Sequence, residues 1–178
     1  MAVGKGGHNL QKRLQDMAGK LSGAQSVKVG FLAGATYPDG KPVAMVAAIQ
    51  EYGAPRAGIP PRPFFRNMIS AKKSEWGPAT AELLKANDYD ARMTLDQLGG
   101  AVAGQLRESI ADLYDPALSP VTLMLRKMFG NNHSAIRGRD VAEARRRVQA
   151  GESTDGVSTK PLVWTGHLIN SVDHEVKT

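Results

Sequence analysis

Apolar residues at Leu10, Leu14, Met17 and Leu21 recur at i, i+4, i+7 and i+11, one stripe of an amphipathic helix, with Gln11, Lys12, Arg13 and Gln15 off it. The stripe ends near Gly23. Val27, Val29 and Phe31 then alternate with Ser26, Lys28 and Gly30, the period of a half-buried strand. Turn chemistry from Tyr37 to Pro42 must stop that strand, because Pro38 fixes φ and Gly40 can take a positive φ. Val43, Val46, Ala47 and Ile49 are spaced for a short helix over Val43 to Tyr52, with Gly53 as its C-terminal cap. The prolines and Gly58 between Ala54 and Pro63 predict an extended, stiffened loop.

Phe64, Phe65, Met68 and Ile69 open a further helical segment, for which Gly77-Pro78 predicts an interruption before Leu83 and Leu84 resume it. The clearest helical period in the chain runs through Met93, Leu95, Leu98, Val102, Leu106, Ile110 and Leu113, and predicts a long central helix from Asp90 to Leu113. Its small residues Gly99, Gly100, Ala103 and Gly104 form a face on which another helix could approach closely. Ser119-Pro120 reads as an N-cap followed by proline in the first helical position, opening a short helix that closes at Gly130. From Asn131 to Lys160 the chain turns polar and basic, with a helix expected over Asp140 to Ala150 and a flexible loop after it. Thr165 then caps a single helical turn, and Ser171 to Val176 makes a last strand with Val172, His174 and Val176 on one face.

These elements in 178 residues suggest one domain with insertions: an N-terminal helix over 1–25, a core over 26–130 and 160–178, and a basic surface insertion over 131–159. No run approaches the roughly 18 apolar residues that a membrane span needs, and Met1 to Gly7 lacks an apolar signal core, so no membrane partner is expected. The absence of cysteine excludes disulfides, thiolate metal sites and cysteine nucleophiles, and is compatible with assembly in a reducing cytoplasm.

The formal net charge of +6 raises the prospect of an acidic partner. Most of the surplus lies between Arg126 and Arg147, and the patch Arg137, Arg139, Arg145, Arg146 and Arg147 is the candidate contact for an acidic protein or for nucleic acid. The aromatic residues that usually interleave a nucleic-acid surface are missing, which favours a solvated or interfacial charge patch over a nucleic-acid contact. The histidines His8, His133, His167 and His174 have no metal spacing; His174 is expected to pack and His133 to be solvated. Gly4 to Gly7 and Gly99 to Gly104 lack a phosphate-loop pattern, and no serine sits in a nucleophile elbow. The sequence therefore points away from an enzyme, and no cofactor is expected.

Two segments carry a resemblance. Ala47-Ala48-Ile49-Gln50-Glu51-Tyr52-Gly53-Ala54 followed by Ile59-Pro60-Pro61-Arg62-Pro63-Phe64-Phe65-Arg66 resembles a helix ending in E-[FY]-G and then I-P-x-R-P-F. Leu118-Ser119-Pro120-Val121-Thr122, with the later Lys160-Pro161-Leu162-Val163-Trp164-Thr165-Gly166-His167-Leu168-Ile169-Asn170-Ser171-Val172, resembles an L-S-P-x-T helix start and a P-L-x-D-T-G-x-L-x-x-S-[IV] closing motif. In that order they resemble the tail-completion or neck-protein family of long-tailed bacteriophages, which includes the virion-morphogenesis proteins of Mu-like phages. Trp164 stands where that family commonly has aspartate, and Ile169 where it often has a polar residue.

The resemblance implies an α+β fold, a small antiparallel sheet flanked by helices, in which the first and last strands are neighbours. It also implies a structural role at the neck of a virion assembled in the host cytoplasm. Copies would form a ring at the head-proximal end of the tail, meeting the tail terminator or tube on one side and the connector or stopper proteins on the other. The residues suggest how: Pro60, Pro61 and Pro63 stiffen an arm, Phe64 and Phe65 are candidate aromatic anchors, Arg62 and Arg66 candidate charged partners, and Trp164 a further interface candidate. Phe64 and Phe65 suit the subunit's own core equally well. The basic insertion would touch exiting DNA if it faces the tail lumen, and an acidic subunit if it faces outward. The alternative function is a basic nucleic-acid-binding protein acting through Arg137 to Arg147.

Overall fold

The structure is a computed structural model and describes residues 5–178. Gly4 and the residues before it lie outside the described residues. In chain order the elements are α1 (Lys5–Leu21), β1 (Ser26–Phe31), α2 (Val43–Tyr52), α3 (Phe64–Ala86), α4 (Ala91–Asp112), α5 (Pro120–Phe129), α6 (Gly138–Gln149), α7 (His167–Asn170) and β2 (Val172–Lys177). Short 3-10 turns occupy Pro55–Ala57 and His133–Ala135. The fold is α+β, with helices around a two-stranded antiparallel sheet.

That sheet joins the two ends of the fold. β1 and β2 pair in a register that runs from Ser26 opposite Lys177 to Phe31 opposite Val172. One face lies on α4, and Gly99 makes the approach possible. A Cβ at that position would sit 2.6 Å from His174 Cδ2 and 2.7 Å from Val27 Cγ2. The small-residue face of α4 thus receives the sheet, where the sequence suggested another helix. His174 packs there as expected, with its Nε2 3.1 Å from Asp96 Oδ1.

α3 and α4 form an antiparallel pair. Asp88 and Tyr89 take positive φ in the connection, and the Asp90 carboxylate accepts from the Met93 N–H at 2.9 Å to cap α4. Trp76 Nε1 donates to Gln105 Oε1 at 2.9 Å, linking the two helices midway. α3 is continuous through Gly77-Pro78, contrary to the expected break. The Pro78 ring removes one backbone bond on the exposed face, where water can serve the freed carbonyl. Met68, Ile69 and Trp76 anchor the half before it on the core, and Leu83 and Leu84 are half-buried in the half after it.

The core collects Val43, Ala47, Phe64, Met68, Val102, Leu106, Ile110, Leu162, Leu168 and Val172 from α2, α3, α4, the closing segment and β2. Phe31 meets Phe64 edge-on, ring centroids 6.2 Å apart. The segment after Gly130 is less detached than an insertion on the surface would be. α6 packs along α5, and Ala144 is fully buried between them. The helix begins at Gly138, two residues before the position expected, where Asp140 Oδ2 accepts from the Arg137 N–H at 2.7 Å.

Candidate interaction surfaces

The proline arm folds back on itself. Ala54 bridges Ile59, the 3-10 turn Pro55–Ala57 fills the bend, and Gly58 adopts the left-handed conformation that closes it. Only Pro60 to Pro63 is without turn or bridge structure, so the irregular stretch is shorter than the sequence suggested. Gly53 ends α2 at φ 77° and ψ 171°, and a Cβ there would lie 2.8 Å from Pro61 N and 2.9 Å from the Ile59 carbonyl oxygen. The glycine of the E-Y-G motif is therefore fixed by contact with the I-P-P segment.

Glu51 makes the second connection between the two halves of that motif. It is buried, 5% exposed, at the end of α2. Its carboxylate accepts from the Phe65 N–H at 2.9 Å, the Arg66 N–H at 3.2 Å and Arg66 Nε at 2.7 Å. The N-cap of α3 is Pro63, whose side chain offers no acceptor, so a residue from another helix caps the N–H groups that Pro63 cannot. A carboxylate at that terminus also meets the positive end of the helix dipole.

This geometry sorts the interface candidates. Phe64 is core, 1% exposed. Arg62 is also buried: its guanidinium donates to Gln50 Oε1 at 3.2 Å and to the Pro116 carbonyl at 3.3 Å. Neither can anchor a partner without unfolding the arm. Arg66 is more exposed, lies 5.0 Å over the Tyr52 ring and holds Glu51. Phe65 is half-buried, packed against the core. Pro60 and Pro61 are exposed, and Pro63 is half-buried. What faces outward is a shallow apolar groove of about 390 Å³ between α2 and α3, lined by Phe31, Ala44, Ala48, Tyr52, Phe65 and Ile69, with Arg66 at its rim.

A second surface forms around the closing motif. Arg126, counted by sequence among the surplus surface charges, is buried beneath it. Its guanidinium donates to the carbonyls of Ser158, Lys160 and Pro161 at 2.6, 2.9 and 3.1 Å. One arginine of α5 thus clamps the loop that leads into β2, using the fork geometry that a lysine lacks. Burial pushes the Arg62 and Arg126 guanidiniums below the usual arginine value, and at Arg126 the Arg62 charge adds to the effect.

Trp164 is half-buried, 5.2 Å from the Arg126 guanidinium, and its Nε1 donates to the Gly130 carbonyl. His133 sits between Trp164, ring centroids 5.7 Å apart and planes tilted by 58°, and Tyr37, met edge-on at 6.0 Å, so it is half-buried in an aromatic wall where the sequence suggested a solvated loop residue. His167 lies 4.6 Å from Tyr37 and completes a pocket of about 450 Å³ floored by Leu162, Leu168 and Arg126. Thr165 was expected to cap the short α7, but the N-cap is Gly166 in the left-handed conformation, and Thr165 Oγ1 instead accepts from the His167 N–H at 3.3 Å in a local turn ahead of the helix.

The basic patch is partly neutralised within the chain. Glu143 accepts from Arg146 and, at 3.0 Å, from Arg147, while Arg147 also reaches Glu152 at 3.8 Å. The Arg147 bond, with the Arg146 charge next, holds the Glu143 carboxyl below its usual range. Arg137 turns onto the carbonyls of Ser134 and Ile136 at 2.8 and 3.1 Å, and Arg139 stands 3.8 Å from Asp140. Arg145 is exposed and has no acidic partner among the described residues.

Among the described residues, no three His, Asp or Glu side chains come together as a metal site, and no helix is long and apolar enough to cross a membrane. Sequence reasoning missed Glu51 and Arg126 as organising residues. Glu51 carried a signal, the lone charge in a helix that is apolar apart from Gln50; Arg126 carried none. No family model, curated protein or solved structure matches the chain.

Proposed function

We propose that this protein is a structural subunit of a tailed-bacteriophage neck, forming a ring that completes the head-proximal end of the tail and joins it to the head connector. The observation that carries the reading is the coupling of the motif halves. Glu51 of the E-Y-G segment caps the helix opened by I-P-P-R-P-F-F, and Arg126 of the helix opened by L-S-P-V-T clamps the K-P-L-V closing segment. Segments far apart in sequence thus form two local units, as expected if the motif residues serve one common framework. The resemblance supplies the role; the coupling supports treating the matched residues as a set.

The reading has a mechanical content. The arm and the closing segment are braced by buried charges, so the surfaces that they present lose little freedom on docking. A terminator or tube on one side and a connector or stopper on the other would each meet a preset surface. Binding of nucleic acid through Arg137 to Arg147 is supported less well, because Glu143, Glu152 and Asp140 already engage Arg146, Arg147 and Arg139. The test is imaging of particles made without this gene product. Filled heads and finished tails that accumulate unjoined are expected; joined, infectious particles would overturn the proposal.

A further inference from the structure

Two apolar surfaces of this chain have no partner among the described residues, and they lie at opposite ends of the molecule. The first is the α1 stripe: Leu10, Leu14 and Leu21 are 60%, 56% and 43% exposed. α1 is held near the start of α4, where Lys20 Nζ meets Asp88 Oδ2 at 2.5 Å. The second is the groove between α2 and α3. It lies toward the other end of α4, where Ser109 Oγ donates to the Phe64 carbonyl at 2.7 Å. From Ala91 to Ser109 the helix rises about 27 Å, so the stripe and the groove of one chain are held apart.

The two are matched in character. The stripe is a convex ridge of leucines on a helix that carries its charges on other faces. The groove is concave, floored by the small side chains Ala44 and Ala48 and walled by Phe31, Phe65, Ile69 and the exposed ring of Tyr52. A ridge and a groove at opposite ends of one subunit define a heterologous, head-to-tail contact, the kind that builds a ring when its rotation closes. An amphipathic helix laid in an apolar groove is an ordinary mode of recognition.

Area decides how strong such a contact is. A helical strip about 17 Å long and about 10 Å wide covers, with side-chain roughness, on the order of 400 Å² of accessible surface on each partner. That is about half of the roughly 800 Å² per partner of a stable pair. An isolated pair is therefore weak; in a closed ring every copy makes the contact twice, once through its stripe and once through its groove, so each copy buries about 800 Å² in all while each single interface stays at about half the standard size, and closure rather than any one contact holds the ring.

We propose that the exposed α1 leucines Leu10, Leu14 and Leu21 of one copy seat in the α2–α3 groove of the next, and that this contact closes the ring. The inference deepens the neck-subunit reading and rests on it for closure. The absence of cysteine makes the test clean. A mass-tagged Leu14→Cys chain is mixed with an untagged Ala48→Cys chain, both at exposed positions, and oxidised, with Leu10→Cys and Leu21→Cys tried against the same partner to cover register. Far-UV circular dichroism checks that each variant is folded.

The expected result is a mixed disulfide that dominates both homodimers in at least one pairing, and a ladder of higher oligomers from the corresponding double-cysteine chain. Predominant Leu14→Cys homodimers would show helices pairing with each other and would overturn the contact. Absence of the mixed product in every pairing, up to the highest soluble concentration, would overturn it as well. The outcome separates from the particle experiment: a mixed disulfide together with joined particles keeps the contact and ends the neck reading, and unjoined particles without the disulfide do the reverse.

Discussion

Replacing Glu51 tests whether a side chain borrowed from α2 holds the start of α3. In Glu51→Ala, the Phe65 and Arg66 N–H groups lose their acceptor beside a buried N-terminus, and Arg66 loses its carboxylate. A helix cap contributes about 0.5–2 kcal/mol, and hydrogen bonds to a charged group about 1.5–3 kcal/mol each, without simple additivity. The expected loss is about 3 kcal/mol, which for a chain of this size lowers Tm by roughly 6–12 °C. Arg66→Ala removes the same ion pair from its other side, but Arg66 is 55% exposed at its side chain, so solvent screening limits that cost to under ~1 kcal/mol. The asymmetry is the point of the experiment. Urea and thermal unfolding of both variants and of the double variant measure it, and equal, small losses from the two single changes would refute the idea that Glu51 acts as a helix cap.

Arg126→Ala should cost about 3 kcal/mol by unfolding and change Trp164 emission, because the carbonyls of Ser158, Lys160 and Pro161 lose a shared charged donor and the indole its cation; Arg126→Lys should recover less than half of that stability, and full recovery would show that the fork does not matter. Gly53→Ala puts a Cβ against Pro61 and Ile59 at a positive φ, for a loss of about 3 kcal/mol or more, read as a fall in the urea midpoint. The Lys20 hydrogen bond and charge lower the Asp88 pKa below its usual carboxylate value, so the pair's contribution is present above the ordinary aspartate range and lost as pH falls through that depressed pKa. Amide exchange in α1, followed as a ratio to α4, should therefore rise only on acidification to that range, and an unchanged ratio would count against the tether.

Most helices and both strands were legible because each depends on local periodicity and caps: the Ser119-Pro120 start, the Gly130 stop and the alternation through Val27, Val29 and Phe31 all sit where the pattern puts them. The continuity of α3 across Pro78 was not legible, since the contacts that anchor it belong to the tertiary fold. The same limit hid the candidate surfaces. Phe64 and Arg62 look like anchors in a proline arm until Gln50, Pro116 and the core close over them. Glu51 and Arg126 act on backbone groups distant in sequence, and no spacing rule reports such partners. His133 was read from its polar neighbours, whereas Tyr37 and Trp164 determine its setting.

The pairing of β1 with β2 also orders events during synthesis. Ser26–Phe31 leaves the ribosome long before Val172–Lys177, and at ~5–20 residues per second its partner is absent for on the order of 10–30 s. Throughout that interval an unpaired strand edge is open to other chains, joined by the bare glycine face of α4 once that helix has been made. The helical pair α3–α4 can fold early from local contacts, while the sheet closes last. Crowding of nascent chains on a polysome is then the moment of greatest hazard for this protein, and losing the last few residues would leave that edge open for good.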